Sequence, residues 1–440
     1  MTAGGRASWV NWGRNQHCAP AEVLRPRSED ELVEAVKRAA ASGRQVKAVG
    51  SGHSFNAIAC TDGVLVDLSG YGRLVAHDAA TGQVTVEAGM LLHRLSDELD
   101  GRGLALENLG DVNRQTVSGA TQTATHGTGL RFGNLSSQIT GMRLVAADGG
   151  VHELSHDQEP DAFAAARVGL GALGLVSTVT LRCVPAFRLH AVEEPMPVDD
   201  VLANLDELAV GNDYFEFYWV PHTRWALTKR NRRTDEPARP RSRLRSWYDD
   251  MLVQNYAFGA FGALCRVGRL RPGLVRRMAK IIPSTGSTDY VDRSDRVFAT
   301  PRKVRFWEME YAIARPALPE AFGRVRRLVD QLGPQVNFPI ELRFSAGDDG
   351  WLSTAYGRET AYVAVHVFRG MPYDAYFSGV ERIMDDYGGR PHWGKLHWQR
   401  AETLAPRYSR WDDFQRVRAR LDPDGLFANP YLDRVLRSTG

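Results

Sequence analysis

The chain has 440 residues, 43% hydrophobic and 24% charged, with a formal net charge of +3. Such a length exceeds one ordinary core and predicts two domains, while the small net charge argues against a dedicated nucleic-acid binder. No apolar run approaches the roughly 20 residues that span a bilayer, no apolar signal core opens the chain, and the cysteines stand singly at Cys18, Cys60, Cys183 and Cys265, so no metal site, no redox pair and a cytoplasmic location are expected.

Residues Met1 to Glu22 carry Trp9, Trp12 and Cys18 and show no clear period. A helix then starts at a capping box, Ser28 with Glu31, and shows Leu32, Val33, Val36, Ala39 and Ala40 on one face until Gly43 stops it. The run Val46 to Val49 reads as a strand and feeds Val49-Gly50-Ser51-Gly52-His53-Ser54-Phe55. Two glycines flanking a serine at a strand end let the backbone turn tightly and aim N–H groups at an anion. Taken alone, the same pattern also makes an ordinary turn. Val64 to Leu68 and Val84 to Ala88 read as further strands. Leu91, Leu92, Leu95 and Leu99 mark a second helix ending near Gly101, so this half is an α+β or α/β domain.

Thr116 to Gly129 is almost entirely small or hydroxylated, between apolar flanks at Leu104–Leu106 and Ile139–Val145. It is either a polar surface loop or a wall of hydroxyl and backbone donors; buried donors need partners, and a polar ligand supplies them. Gly169 to Gly174 spells G-x-G-x-x-G. A Rossmann fingerprint needs a strand before it and a helix after it. Here the order is reversed, with a helical Asp161 to Val168 before and a strand-like Val176 to Cys183 after. Three donor-rich, glycine-rich segments in this half predict one long ligand with a pyrophosphate and a ring, held in an extended pose.

Beyond Pro185 the chain carries aromatic strand-like runs at Tyr214 to Val220, Val304 to Ile313 and Ala361 to Phe368. Helical stretches lie at Leu318 to Leu332 and Tyr376 to Tyr387, which predicts an antiparallel sheet with helices on one face. The basic stretch Arg224 to Arg245 reads as a solvated loop or a docking patch, and Tyr256 to Leu274 as a surface-lying segment. In Glu341-Leu342-Arg343 the acid and the arginine share one strand face, as a structural ion pair or a polar site. His392-Trp393-Gly394-Lys395 places a lysine in a chain that otherwise uses arginine. A compact cation there suits an anionic ring or a developing anion.

These motifs resemble those of flavoproteins of the vanillyl-alcohol-oxidase type, and within them the sugar-lactone branch of L-gulono-1,4-lactone and D-arabinono-1,4-lactone oxidases and dehydrogenases, with alditol oxidase a relative. The likeness runs nearly the full chain. It is carried by Val49 to Phe55, Ala124-Thr-His-Gly-Thr-Gly, Leu170-Gly-Ala-Leu-Gly, Trp307-Glu-Met-Glu-Tyr, Glu341-Leu-Arg-Phe, Ala355-Tyr-Gly-Arg, His392-Trp-Gly-Lys and Leu421-Asp-Pro-Asp-Gly-Leu-Phe-Ala-Asn. The resemblance implies an α+β, two-domain FAD-binding fold of the PCMH type. Residues 1–187 would bind FAD, and residues 188–440 would form an antiparallel-sheet substrate domain whose tail, from about residue 390, returns to the flavin.

The resemblance also implies roles. Val49, Gly50, Ser51, Gly52, His53 and Ser54 would cradle the FAD pyrophosphate, with His53 covalently bonded to the 8α-methyl of the flavin. Ser118, Gly119, Thr123, His126 and Gly127 would line the flavin, Gly174 and Val176 its adenine or ribityl end, and His392 would contact it. Glu341, Arg343 and Lys395 would be catalytic. The implied reaction is hydride transfer from a sugar-1,4-lactone to flavin N5, with electrons passing to oxygen, a cytochrome or a quinone. An alditol (polyol) oxidase is the neighbouring alternative, and a non-catalytic flavoprotein docking module the alternative of another class. The implied location is cytoplasmic, with peripheral contact at the inner face of the membrane and no nucleic-acid partner.

Overall fold

The computed structural model describes residues 8–241, 287–300 and 304–437. Half of the capping box read at Ser28 forms, for the Glu31 carboxylate accepts the Arg27 N–H at 2.8 Å and not that of Ser28. The Ser28 hydroxyl accepts the Glu31 N–H at 3.2 Å, and the helix Glu29–Ala41 buries Leu32, Ala35, Val36 and Ala39. The next strand, Val46–Val49, runs parallel to Val64–Asp67, which pairs on its other side with Glu22–Leu24. A five-stranded antiparallel sheet follows, in the order Val151–Ser155, Ile139–Val145, Leu175–Arg182, Gln83–Glu87, Leu74–Asp78. The Gly169–Gly174 segment lies between the helix Pro160–Ala166 and the strand Leu175–Arg182, the non-Rossmann order. Thr116 to Gly129 is not a surface loop. It opens with a short helix, Val117–Gln122, capped by the Thr116 hydroxyl, and is largely buried.

The remainder is organised by one eight-stranded sheet. Its order is Thr288–Arg293, Arg188–Pro197, Trp225–Thr234, Tyr214–Trp219, Ile340–Ser345, Thr360–Phe368, Phe306–Ala314, Arg390–Pro391. Side chains alternate across a strand. Phe215, Phe217, Trp219, Ile340, Leu342, Val363, Val365, Met309 and Ile313 therefore share one face and one apolar core. The helices Leu318–Leu332 and Asp374–Asp385 cover that face, Phe322 meeting the rings of Phe217 and Trp219 at 6.2 and 5.7 Å. Each such side chain, fully buried, contributes roughly 1.5–3 kcal/mol.

One expectation changes. The basic stretch from Arg224 is not a loop through its first half: Trp225–Thr234 is an interior strand of the large sheet, bonded on both edges. Arginines there pair with acids of the neighbouring strands, as Arg230 does with Glu194. The segment Tyr256 to Leu274 lies outside the described residues. Cys18 and Cys60, single in sequence, sit against each other as free thiols.

The C-terminal segment turns back. Trp393, Leu404, Phe414, Phe427 and Leu432 pack into the same apolar cluster as the N-terminal helix and the five-stranded sheet. Trp393 is completely buried, its indole N–H donating to Leu352 O at 2.7 Å.

Candidate active site

The strand Val46–Val49 delivers the glycine–serine loop to a cleft of about 110 Å³. The cleft brings together Val49, Gly50, Ser51, Gly52, His53, Ser54, Ser118, Gly119, Thr123, Gly174 and Val176, from three separate segments. At Gly50 the backbone passes so close to the Thr116 hydroxyl that a Cβ would lie 2.2 Å from Oγ1. Gly52 takes φ +66°, a conformation that glycine adopts freely, and would press a side chain onto the Trp9 ring. Among the described residues, no acidic side chain lines the cleft. A wall of glycine backbone and hydroxyls without negative charge fits the diphosphate and polar ring edges of FAD.

The loop is fixed from both sides. Gly52 O accepts the Trp12 N–H at 2.8 Å, and Ser54 O accepts from the Asn11 side chain at 2.8 Å. Phe55 N–H donates to Gly394 O at 2.7 Å, and the Asn56 carboxamide donates to Trp393 O at 2.7 Å and Lys395 O at 2.8 Å. These bonds seat His392–Lys395 against the end of the cleft that carries His53. Burial, with Lys395 and Arg114 beside it, pushes the His53 imidazole down to about 4. The ring is therefore neutral at pH 7, with a free lone pair, and it stacks on Trp12 at 5.3 Å.

The second face of the large sheet meets this end, and it is polar. In register across the strands it carries Lys229, then Glu216 and Tyr218, then Glu341 and Arg343, then Tyr362 and His366, then Glu308 and Glu310. Arg343 binds Glu341, reaches Glu216 Oε2 from Nε at 2.8 Å, and faces Asp111 at 3.5 Å. The Tyr218 hydroxyl lies 2.9 Å from Glu341 and 3.0 Å from Glu216. One phenolic proton cannot serve both carboxylates, so Tyr218 couples them. Burial raises the Glu341 carboxyl; Arg343 pulls it down, but Asp111 and Glu216 reinforce the rise. Burial also opposes ionisation of Glu216, yet Arg343 and Lys229 overcome it and leave that carboxyl low. Two carboxylates on one arginine are thus driven apart: the Glu216 carboxyl is lowered and the Glu341 carboxyl raised.

Lys395 Nζ is held by Glu308, whose other oxygen faces His366 Nε2 at 3.5 Å. Burial works against the ammonium, but Glu308 and Glu310 outweigh it and raise its pKa. Lys395 is a fixed cation at neutral pH.

His126, Gly127 and His392 are not in the cleft lining; both histidines sit behind it against the polar sheet face. His126 Nδ1 lies 2.9 Å from Gly127 O and Nε2 lies 3.0 Å from Glu310 Oε1. Burial disfavours the Glu310 carboxylate, but His126 outweighs burial and holds that carboxyl down to about 2. His392 Nδ1 accepts the Gly394 N–H at 3.0 Å, and burial keeps this ring neutral, down to about 3. Ligand atoms of His126, Glu310 and His392 lie within 4.8 Å of one another.

Sequence reasoning does not single out Glu216, Tyr218, Lys229, Glu308, Glu310 or Asp111. The signal is present for four of them: isolated acids or a phenol alternating with apolar residues in Tyr214–Trp219 and Phe306–Ala314.

Residues 179–435 match the family model of D-arabinono-1,4-lactone oxidase, and residues 20–155 match that of an FAD binding domain. The chain is 50% identical over 429 residues to an L-gulono-1,4-lactone dehydrogenase of Mycobacterium tuberculosis, covering 97% of this chain and 99% of that one. It is 34% identical over 434 residues to the L-gulonolactone oxidase of Bos taurus, 97% of each. Among solved structures, cholesterol oxidase from B. sterolicum superposes with a TM-score of 0.78 at 16% identity, over 98% of this chain and 97% of that one, a likeness of fold. Identity at this level along almost the whole of both chains, on a shared fold, makes this chain a member of the D-arabinono-1,4-lactone oxidase family: an FAD-dependent oxidoreductase with a PCMH-type FAD-binding domain.

Proposed function

We propose that the chain oxidises a sugar-1,4-lactone of the L-gulono-1,4-lactone type, with residues 1–187 carrying FAD and residues 188–440 the substrate. One observation supports the reading: Glu341 and Arg343 are buried and Lys395 half-buried, each is held by a counter-charge, and Lys395 lies within electrostatic reach of both His53 and Glu341. FAD, when bound, supplies the hydride acceptor at N5. Glu341 takes the proton of the substrate hydroxyl, its raised pKa matching it to that task. Arg343, fixed between Glu216 and Glu341, and Lys395, fixed by Glu308, present positive charge where negative charge grows, at no cost in reorganisation. His53, neutral and nucleophilic, is the proposed covalent anchor for the flavin.

Electrons leave to oxygen, a cytochrome or a quinone. The proposed location is the cytoplasm, with peripheral contact at the inner face of the membrane; no helix of the described residues is long and apolar enough to cross one. The test is anaerobic addition of L-gulono-1,4-lactone to the purified yellow protein. Bleaching of the flavin band by the lactone, with a far weaker response to open-chain alditols, is expected. The opposite order would make the protein an alditol oxidase, and no bleaching by either would leave a non-catalytic flavoprotein.

A further inference from the structure

Lys47 stands alone in the cofactor cleft: of the described residues that line it, this is the single lysine, arginine or acidic side chain. It is 2% exposed. Its Nζ donates to Gly171 O at 2.9 Å and Phe427 O at 3.1 Å. An ammonium has three N–H donors, so one is left over. The charge is also incompletely compensated. Two carbonyls satisfy hydrogen bonds but carry no net charge. The ionised neighbours are Arg418, which repels the ammonium, and Asp422, which attracts it. Asp422 already accepts the N–H groups of Leu426 and Phe427 at 2.7 and 3.0 Å. Lys47 and Gly171 both line the cleft, and a Cβ built on Gly171 would be 3.6 Å from Nζ.

A buried cation with a spare donor, on the wall of a cleft whose other described side chains are neutral, is the counterpart of an anion. We propose that Lys47 is the counter-cation of the FAD diphosphate and takes up a proton from solvent onto Nζ as the cofactor enters. The inference rests on the cleft being the FAD site. Burial, with Arg418 beside it and only Asp422 opposing, pushes the Lys47 ammonium down to about 7 in the cofactor-free chain. The group is then about half neutral at neutral pH. A diphosphate in the cleft favours the charged form. Below pH about 7 the lysine is already protonated, binding exchanges no proton, and affinity is flat. Above it each binding event must fix a proton, and affinity falls about tenfold per pH unit.

The experiment uses the full chain carrying His53→Ala, so that flavin is exchangeable, stripped of cofactor and titrated with FAD in a calorimeter between about pH 6 and 9, in two buffers of different ionisation enthalpy. The expected result is no net proton exchange at pH 6, uptake approaching one proton per FAD above pH 8, and the tenfold slope between. Lys47→Met in the same background should abolish both the uptake and the slope and weaken binding at pH 6. FAD binding with no proton uptake and no pH dependence overturns the role of Lys47 and leaves the cleft reading standing. A Lys47→Met protein that binds like its parent does the same. Failure of the parent to bind FAD at all overturns both. If Lys47→Met does not fold, the proton count on the parent alone decides.

Discussion

Replacing Glu308 by glutamine removes one charge and keeps the shape. Glu308 is 6% exposed and grips Lys395 with one carboxylate oxygen. Burial disfavours its ionised form, but Lys395 and His366 outweigh burial and hold the carboxyl well below its usual range. Two unit charges about 4 Å apart, at an effective dielectric near 20, attract by about 4 kcal/mol. At 1.36 kcal/mol per factor of ten, losing Glu308 weakens the hold of Lys395 on its proton by up to about a thousandfold, and less to the extent that Glu310 compensates. The sign follows from the direction of the native shift. A raised ammonium keeps its charge through the neutral range and loses it as pH climbs through that raised value. Removing the carboxylate brings the loss to lower pH. Anaerobic stopped-flow reduction of the flavin by lactone is the assay. In Glu308→Gln the alkaline fall in rate should begin about two pH units or more below that of the native protein, with the rate near pH 6 largely kept. Lys395→Met should be slow at every pH. Breaking a buried pair costs about 3–5 kcal/mol, so the variant should also melt earlier. An alkaline limb that stays where it was in Glu308→Gln, while Lys395→Met is slow, would refute the electrostatic role of Glu308.

Tyr218→Phe removes the hydroxyl shared by Glu341 and Glu216. With one donor fewer, the Glu341 carboxylate is harder to form, and the acid limb of flavin reduction should move up by about one pH unit, since a hydrogen bond to a charged group contributes about 1.5–3 kcal/mol; an unmoved limb in a pH–rate profile counts against Glu341 as base. Acid precipitation of the native protein should give a yellow pellet, and His53→Ala a colourless pellet with the flavin in the supernatant. Gly50→Ala forces a methyl against Thr116 Oγ1, the group that caps Val117–Gln122. It should lower stability by about 1–3 kcal/mol and cut FAD occupancy, read from the melt and from the ratio of visible to protein absorbance.

Much of this fold is written locally. The Ser28 cap, the helix Leu318–Leu332 and the strands Val46–Val49 and Thr360–Phe368 follow from capping residues and from the period of apolar side chains, and both properties act over a few neighbouring positions. The strand Trp225–Thr234 reads as a loop because its arginines and lysine suggest solvent. The period of two is nonetheless there: Ala226 and Thr228 are fully buried between them. What decides the outcome is the acids on adjacent strands, Glu194 and Glu216, and nothing within the stretch announces them.

The same limit explains how the site is half visible. Glu341 and Arg343 lie two apart and advertise one another, and a lysine among arginines draws the eye. Their partners do not. Glu308 precedes Lys395 by 87 positions, Tyr218 precedes Glu341 by 123, and His126 precedes Glu310 by 184. Alternation in Tyr214–Trp219 and Phe306–Ala314 shows that Glu216, Tyr218, Glu308 and Glu310 share a face, but a period of two does not say whether that face meets water or a second layer. On a wet face, acids every second residue are ordinary. Here the cofactor half of the chain closes over them. Each carboxylate then requires a partner: Lys229 and Arg343 on neighbouring strands serve Glu216, while Lys395 and His126 reach Glu308 and Glu310 from outside the sheet. Glu341 shares Arg343 with Glu216, which has Lys229 as a second cation, and this leaves Glu341 as the proposed acceptor of the substrate proton.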